Sequence, residues 1–206
     1  MEARYYQTGT DKTVHCHLCP HLCKIADGMS GACGIRENRN GTLVAAAYGE
    51  VTSTAMDPIE KKPLYHFHPG AQVFSVGSYG CNFLCRFCQN YSISQGKTIS
   101  KHVDPRDLVR MAMDHRSAGI AYTYNEPLIN YEFVNDCCRL AREEGLWNVL
   151  VTNGHINRKP FEDLLPVVDA ANIDLKSIRP EFYQKLCSGK LEAVQSSIAL
   201  AVQRST

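Results

Sequence analysis

Three closely spaced cysteines stand near the middle of the chain, at Cys81, Cys85 and Cys88. They form a C-x3-C-x2-C array in the segment SYGCNFLCRFCQN, which follows the apolar-rich residues 73–76. Iron–sulfur clusters are held by cysteine thiolates, normally four of them. Three thiolates can therefore hold three irons of a cubane and leave the fourth iron open, and an open coordination position is typical of a reacting metal site. The alternative is a zinc site with a distant fourth ligand, although zinc sites usually use cysteine pairs.

Four more cysteines lie near the N-terminus in a C-x2-C-x3-C-x9-C array: Cys16, Cys19, Cys23 and Cys33. Glycines at 28, 31 and 34 indicate a loop, and a metal would supply folding energy that so short a loop cannot obtain from burial. Two metal hypotheses remain open here, a structural zinc ion and an auxiliary iron–sulfur cluster. The third alternative is four reduced thiols without a metal. The interleaved histidines are predicted to be solvated loop residues, because four thiolates already complete a tetrahedral site.

The composition excludes several classes of protein. The 206 residues suffice for one domain of good size or for one and a half small ones. A net charge of +1 with interspersed charges favours neither nucleic acid nor a membrane surface as a partner. No apolar run approaches the ~20 residues of a membrane span, and the first residues, MEARYY, lack the apolar core of a signal peptide. Ten cysteines without an export signal indicate metal binding in a reducing cytoplasm.

The cysteine triplet, with Phe87 directly before its last member, resembles the radical S-adenosylmethionine (SAM) superfamily. The segments CHLCPHLCKIADGMSGACGIREN, DPIEKKPLYHFHPG and SYGCNFLCRFCQNYSISQ are similar to the radical SAM enzymes of the AmmeMemoRadiSam system, which in turn resemble pyruvate formate-lyase activating enzyme. The likeness runs from about Cys16 to Lys190. It implies a [4Fe-4S] cluster on the triplet, with SAM chelating the open iron. It also implies reductive cleavage of SAM to methionine and a 5′-deoxyadenosyl radical.

The resemblance implies further SAM contacts, carried by Phe87, Glu126, Thr152, Asp174 and Lys176. Phe87 is expected near the adenine. The segment YNEP resembles the family's Gly-Gly-Glu-Pro, which places Glu126 at the amino group of SAM. The segments VTNG and DLK, which contain Thr152, Asp174 and Lys176, resemble the activase segments Asp-Thr-Asn-Gly and Asp-Leu-Lys. Those activase segments lie at the methionine end of SAM. From the residues alone, a helix-entry role is the favoured interpretation of Glu126, and a surface position of Lys176 is as expected as a functional one. The lysines at 61 and 62 are predicted to belong to a solvated charge run.

Apolar patterning predicts strands followed by helices. The strands are expected near residues 73–76, 120–124, 147–152 and 170–175, and short strands are also expected within residues 42–55. Helices are expected from Pro105, at about 128–144, near 159–165 and 180–187, and from Leu191 onward. Strands that alternate with helices predict right-handed parallel βαβ units and an α/β fold.

The family likeness adds a fold hypothesis to this pattern. It implies a partial (βα) radical SAM barrel with about four of six βα units, incomplete at the C-terminus. Two parts are expected: residues 1–70, a cysteine-rich metal-binding segment with short strands and a linker, and residues 71–206, the radical SAM core.

Two functions compete at this stage. The first is a radical SAM oxidoreductase whose product radical abstracts hydrogen, in the manner of a glycyl-radical activase with a protein substrate. It would require a one-electron donor such as flavodoxin or ferredoxin, and it assigns no protein residue a catalytic role because the chemistry belongs to the cofactor. The second is a non-catalytic iron–sulfur-binding fragment of such an enzyme.

Overall fold

The protein is described here by a computed structural model, which covers residues 1–96 and 98–204. Its strands are short and fall into one main sheet and three small ones. The strands are β1 (Tyr6–Thr8), β2 (Val14–Cys16), β3 (Lys24–Ile25), β4 (Arg36–Arg39), β5 (Thr42–Ala45), β6 (Glu50–Val51), β7 (Ser53–Pro58), β8 (Gln72–Gly77), β9 (Lys101–His102), β10 (Gly119–Tyr122), β11 (Trp147–Thr152) and β12 (Ala170–Ile173).

The main sheet has the order β12-β11-β10-β8-β7. Strands β8, β10, β11 and β12 are parallel, whereas β7 pairs antiparallel with β8. The parallel strands correspond to the four strands predicted from the apolar runs. Because they are parallel, their C-terminal ends meet at one edge of the sheet, which is where ligands bind in α/β folds.

The helices are α1 (Tyr91–Ser94), α2 (Pro105–Asp114), α3 (Tyr131–Glu143), α4 (Arg158–Leu164), α5 (Pro180–Phe182) and α6 (Leu191–Arg204). Helix α2 begins at the predicted proline, although the Asp104 carboxylate makes no capping hydrogen bond. Its apolar face, with Leu108 and Ala112, is fully buried in the core that α3 and the sheet share. Cys137 of α3 is also fully buried there.

The N-terminal part packs onto α3 through a buried ion pair. Strands β1, β2 and β3 form an antiparallel sheet, and β4 pairs with β5. Arg36, at the start of β4, reaches Glu132 with an Nη1–Oε2 distance of 3.0 Å, and both side chains are almost fully buried. The Tyr5 ring meets the Tyr131 ring edge-on at 5.0 Å. These contacts fix the N-terminal cysteines relative to the main sheet.

The mixed α/β class is confirmed, whereas the partial barrel is not. Over residues 1–96 and 98–204 the main sheet is a linear array whose edges are β7 and β12. Strand β7 comes from the predicted N-terminal part yet pairs with β8 of the predicted core along six residues. The division at residue 70 therefore stays a prediction. No helix within the described residues is long and apolar enough to cross a bilayer.

Candidate active site

The predicted cluster motif lies in a loop that follows β8, and we call residues 77–90 the cysteine loop. Its backbone is tied to the π-helical turn Tyr183–Cys187. The N–H groups of Leu84 and Arg86 donate to the carbonyls of Cys187 and Leu186, at 2.8 and 3.0 Å. A loop held by backbone hydrogen bonds at its centre presents its side chains in a fixed arrangement.

The three cysteines of the loop line one cavity of about 460 Å³ at the C-terminal edge of the sheet. This volume is in the usual range for a small-molecule site. The sulfur of Cys81 accepts from the Phe83 N–H at 3.3 Å and lies 3.6 Å from Asn153 Nδ2. The sulfur of Cys88 lies 3.2 Å from Ser94 Oγ. Hydrogen bonds to the sulfurs are among the features that tune iron–sulfur clusters.

The loop cysteines do not form a ready site for a single metal ion. Within the described residues, no three His, Cys, Asp or Glu side chains are close enough together to hold a single ion. A zinc ion needs all its ligands within about 2.3 Å, whereas a cubane spreads its thiolates over separate irons. Burial raises the pKa of Cys81, with a further contribution from Glu126, and burial raises that of Cys85 to about 12. Such thiols ionise when a metal supplies the compensating charge.

Glu126 is a buried carboxylate at the wall of the same cavity. It follows β10 and is 2% exposed. The Leu128 N–H and the Thr152 hydroxyl donate to Oε1 at 2.9 and 2.6 Å, and the Asn153 N–H donates to Oε2 at 2.7 Å. No ion pair joins Glu126 to a cationic side chain in the described part of the chain. Burial therefore raises its pKa to about 7, even though these hydrogen bonds oppose the shift.

The helix-entry interpretation of Glu126 is confirmed, whereas its contact with SAM stays a prediction. Its carboxylate caps the helical turn Pro127–Asn130 and also faces the cavity. The Thr152 hydroxyl donates to Glu126 and holds this carboxylate in its orientation. The predicted contact of Thr152 with SAM stays a prediction.

The predicted pair Asp174 and Lys176 lies at the end of β12 and also lines the cavity. Lys176 Nζ is 2.9 Å from Asp174 Oδ2. Burial lowers the pKa of Lys176, but the Asp174 carboxylate outweighs this effect, so the net pKa is raised and the ammonium is kept. Phe87 also lines the cavity, is half exposed, and its ring lies 5.5 Å from that of Phe182. The cavity thus brings together all three loop cysteines and the five predicted SAM contacts.

Sequence reasoning missed one wall of the cavity. Lys62, predicted to be part of a solvated charge run, is 2% exposed and its Nζ lies 2.7 Å from Asp57 Oδ2. The same carboxylate oxygen accepts from the Tyr124 hydroxyl at 2.8 Å, and Asp57 Oδ1 pairs with Lys61. The prediction was wrong for Lys62 because a lone sequence run does not show the acid that lies across a turn from it. Tyr124 adopts a left-handed backbone (φ +71°), uncommon for a residue with a side chain.

Cys187 also escaped sequence reasoning. It is fully buried, and its thiol lies against that of Cys85, close enough to shift the pKa of both. The two residues are far apart in sequence, so no spacing signal pointed to this contact.

The four N-terminal cysteines lie outside this cavity. We call Cys16, Cys19, Cys23 and Cys33 the N-terminal cysteine set. Cys16 ends strand β2, Cys19 and Cys23 lie in the connection from β2 to β3, and Cys33 lies between β3 and β4. Their metal content stays a prediction at this point.

The comparison with protein families agrees with this geometry. The model of the Radical SAM superfamily matches residues 75–204, from β8 to the end of α6. The match covers more than half of the chain, so the protein belongs to the radical SAM superfamily. The superfamily that the cysteine triplet and Phe87 resemble is confirmed.

Individual relatives divide into one long match and several short ones. The chain is 46% identical over 203 residues to the uncharacterized protein MJ0808 of Methanocaldococcus jannaschii, covering 97% of this chain and 60% of that protein. It is 30% identical over 114 residues to the pyruvate formate-lyase 1-activating enzyme of Escherichia coli K12, covering 52% of this chain and 46% of that enzyme. It is 24% identical over 123 residues to the 4-hydroxyphenylacetate decarboxylase activating enzyme of Clostridium scatologenes, covering 37% of that enzyme. The chain thus spans 60% or less of these relatives.

Proposed function

We propose that this chain binds a [4Fe-4S] cluster on Cys81, Cys85 and Cys88 and reductively cleaves SAM. The observation that carries the proposal is the position of Glu126. A buried carboxylate without a cationic partner is costly, and Glu126 shares its cavity with the three thiols. A ligand that brings an ammonium group would remove this cost, and SAM carries such a group.

The residues around the cavity then have distinct tasks. When bound, the cluster supplies the electron that splits SAM into methionine and a 5′-deoxyadenosyl radical. Glu126 accepts hydrogen bonds from the ammonium group of SAM, in an orientation fixed by Thr152. Lys176 offers its ammonium to the carboxylate of SAM, and Asp174 keeps Lys176 charged. Phe87, on the exposed side of the cavity, covers the adenine.

The named relatives support a proposal for the use of the radical. Both activating enzymes that the chain resembles are named for the proteins they activate, pyruvate formate-lyase and 4-hydroxyphenylacetate decarboxylase. We therefore propose hydrogen abstraction from a protein substrate, with reduction by a one-electron donor such as flavodoxin or ferredoxin in the cytoplasm. The sequence segments shared with the AmmeMemoRadiSam enzymes favour that system as the setting.

The test is SAM cleavage by the anaerobically reconstituted protein. With dithionite and SAM, the wild type is expected to form 5′-deoxyadenosine and methionine. The Cys88→Ala variant is expected to form none. Cys138→Ala serves as the matched control, because Cys138 is fully buried in α3, remote from the cavity.

Two results would oppose the proposal. Equal product from the wild type and from Cys88→Ala would show that the triplet is not the reacting centre. Iron and sulfide near four per chain without any SAM cleavage would favour the alternative of a non-catalytic iron–sulfur-binding fragment.

A further inference from the structure

One wall of the cavity carries two lysines that share a single carboxylate. Lys61 and Lys62 both line the cavity that also holds the three loop thiols. Lys61 Nζ lies 2.7 Å from Asp57 Oδ1, and Lys62 Nζ lies 2.7 Å from Asp57 Oδ2. The Tyr124 hydroxyl also donates to Oδ2, at 2.8 Å. We call Lys61, Lys62, Asp57 and Tyr124 the lysine wall, and its two ammonium groups face one carboxylate, so one positive charge is left over.

The more deeply buried of the two lysines keeps donors that the fold does not use. Lys62 is 2% exposed, and an ammonium group has three N–H donors. Within residues 1–96 and 98–204, Asp57 is the only hydrogen-bond acceptor of Lys62 Nζ. On another side the ammonium lies over the Tyr124 ring, 5.1 Å from its centroid. Because buried polar groups are normally satisfied, the remaining donors of Lys62 indicate a place for a further acceptor.

A comparison with Lys176, in the same cavity, shows that Asp57 compensates its lysines incompletely. Burial lowers the pKa of Lys176, but Asp174, which pairs with no other cation in the described residues, outweighs this effect. At Lys62 burial is the largest effect and lowers the net pKa, although Asp57 opposes it. Asp57 serves Lys61 as well. A second anion beside Lys62 would remove the remaining cost of burying its charge.

The two cationic walls enter the cavity from opposite edges of the main sheet. Asp57, which holds Lys62, lies on the edge strand β7. Lys176 follows β12, the strand at the other edge. Under the proposed function, the methionine end of SAM presents its carboxylate to Lys176 and its ammonium group to Glu126. The carboxylate that SAM presents to Lys176 therefore leaves Lys62 for another anion.

We propose that Lys61 and Lys62 bind a carboxylate group of the substrate from which the radical abstracts hydrogen. This inference rests on the proposed function, which places SAM and the cluster in the rest of the cavity. One surplus positive charge matches a carboxylate better than a phosphate group, which carries about −1.5 to −2 charges at neutral pH. In a protein substrate this carboxylate belongs to an acidic side chain or to the chain terminus.

The experiment measures binding and not turnover. The full chain is reconstituted without oxygen, saturated with SAM and left unreduced, so that no radical forms. The probes are N-acetylglutamate amide, with a side-chain carboxylate, and N-acetylglutamine amide, its neutral analogue of the same shape. N-acetylglycine, with a terminal carboxylate, and inorganic phosphate complete the set. Ligand-observed NMR titrations give the Kd of each probe for the wild type, Lys62→Met, Lys62→Arg and Lys24→Met, a control at an exposed lysine of β3.

The proposal predicts that the wild type binds the glutamate probe or N-acetylglycine roughly 10- to 100-fold more tightly than the neutral probe. The tighter of the two carboxylate probes identifies a side-chain or a terminal carboxylate. Lys62→Met should lose this preference, Lys62→Arg should restore part of it, and Lys24→Met should keep it. Equal binding of the charged and neutral probes, no binding of either carboxylate, or phosphate as the tightest probe would overturn the proposal.

A second variant keeps the test decisive if Lys62→Met fails to fold. The Lys61 side chain is 60% exposed, so Lys61→Met is expected to fold. It should weaken binding of the carboxylate probe and leave binding of the neutral probe unchanged, and an unaltered preference would overturn the proposal. Failure of the proposed function would appear separately, as absent SAM cleavage by the reduced wild type, a measurement that uses none of the probes.

Discussion

The two cysteine sets of this protein differ in the charge that the fold buries beside them. The cysteine loop has three thiols, a ligand-sized cavity and a buried carboxylate, Glu126, without a cationic partner. The N-terminal set has four thiols and a buried guanidinium, Arg36, with an unused Nε–H. One site lacks a cation that a ligand can bring, whereas the other contains a buried cation, Arg36, that pairs with Glu132.

This difference bears on the function proposed for the cysteine loop. A site that receives SAM needs an open iron and an acceptor for an ammonium group. The cluster proposed for the cysteine loop would provide the open iron, and Glu126 would accept from the ammonium group.

The largest expected effect comes from removing a loop thiolate. Cys85→Ala is expected to reduce formation of 5′-deoxyadenosine to the level without protein, because the cluster loses one of its three ligands. Cys23→Ala, in the N-terminal set, is expected to retain measurable cleavage when dithionite supplies electrons directly. Product analysis by liquid chromatography compares the two. Equal losses in both variants would remove the proposed distinction between the sites.

The next largest effect concerns the cation of the N-terminal site. Arg36→Met leaves Glu132 buried without its partner, which typically costs about 3–5 kcal/mol of unfolding free energy. Arg39→Met is the matched control on the same strand. The Arg39 side chain is 62% exposed, so its ion pair with Glu37 is worth less than about 1 kcal/mol. Urea unfolding measures both. Similar costs for the two variants would show that Arg36 does not act as a buried charge.

Glu126→Gln should weaken SAM binding by an intermediate amount. Removing the charge from a charge-assisted hydrogen bond costs about 1.5–3 kcal/mol, so the Kd for SAM is expected to rise by roughly 10- to 100-fold. Isothermal titration with the reconstituted protein provides the measurement, and Glu181→Gln, on the exposed surface, is the control. An unchanged Kd would exclude Glu126 as the receptor of the ammonium group.

The same carboxylate predicts a pH dependence of stability without SAM. Burial raises the pKa of Glu126 from 4.5 to about 7, so between these values the folded protein keeps a proton that the unfolded chain releases. The unfolding free energy attributable to Glu126 therefore falls as the pH rises from 4.5 to about 7. Glu126→Gln should lack this contribution over that window, as measured by urea unfolding at several pH values. A wild-type profile identical in slope to that of the variant would contradict the burial argument.

The smallest predicted effect tests one hydrogen bond to sulfur. Asn153 Nδ2 lies 3.6 Å from the Cys81 sulfur, and loss of such a donor makes a cluster harder to reduce. If the bond is worth about 1 kcal/mol, Asn153→Ala should lower the potential of the loop cluster by roughly 40 mV. A redox titration followed by electron paramagnetic resonance gives this value, with Asn172→Ala on β12 as the control. A shift to higher potential would contradict the role of Asn153.

Sequence reasoning reached the parts of the molecule that depend on local spacing. The spacing of the cysteines predicted the triplet site, the apolar runs predicted the four parallel strands, and Pro105 predicted the start of helix α2. Each of these signals acts over a few neighbouring residues. The YNEP motif predicted that Glu126 belongs to the site. That its carboxylate forms no ion pair with a cationic side chain of the described residues is a property of the packed fold. The buried pair Lys62–Asp57 and the contact of Cys187 with Cys85 depend on tertiary packing, which no spacing rule encodes. The barrel was inferred from family likeness alone, and it is this inference that the sheet does not confirm.

The central claim is that the three loop thiolates leave one iron open for SAM. Electron paramagnetic resonance of the dithionite-reduced protein, recorded with and without SAM, tests it most directly. The account predicts that SAM changes the signal of the wild type. A wild-type signal that does not respond to saturating SAM would contradict the account.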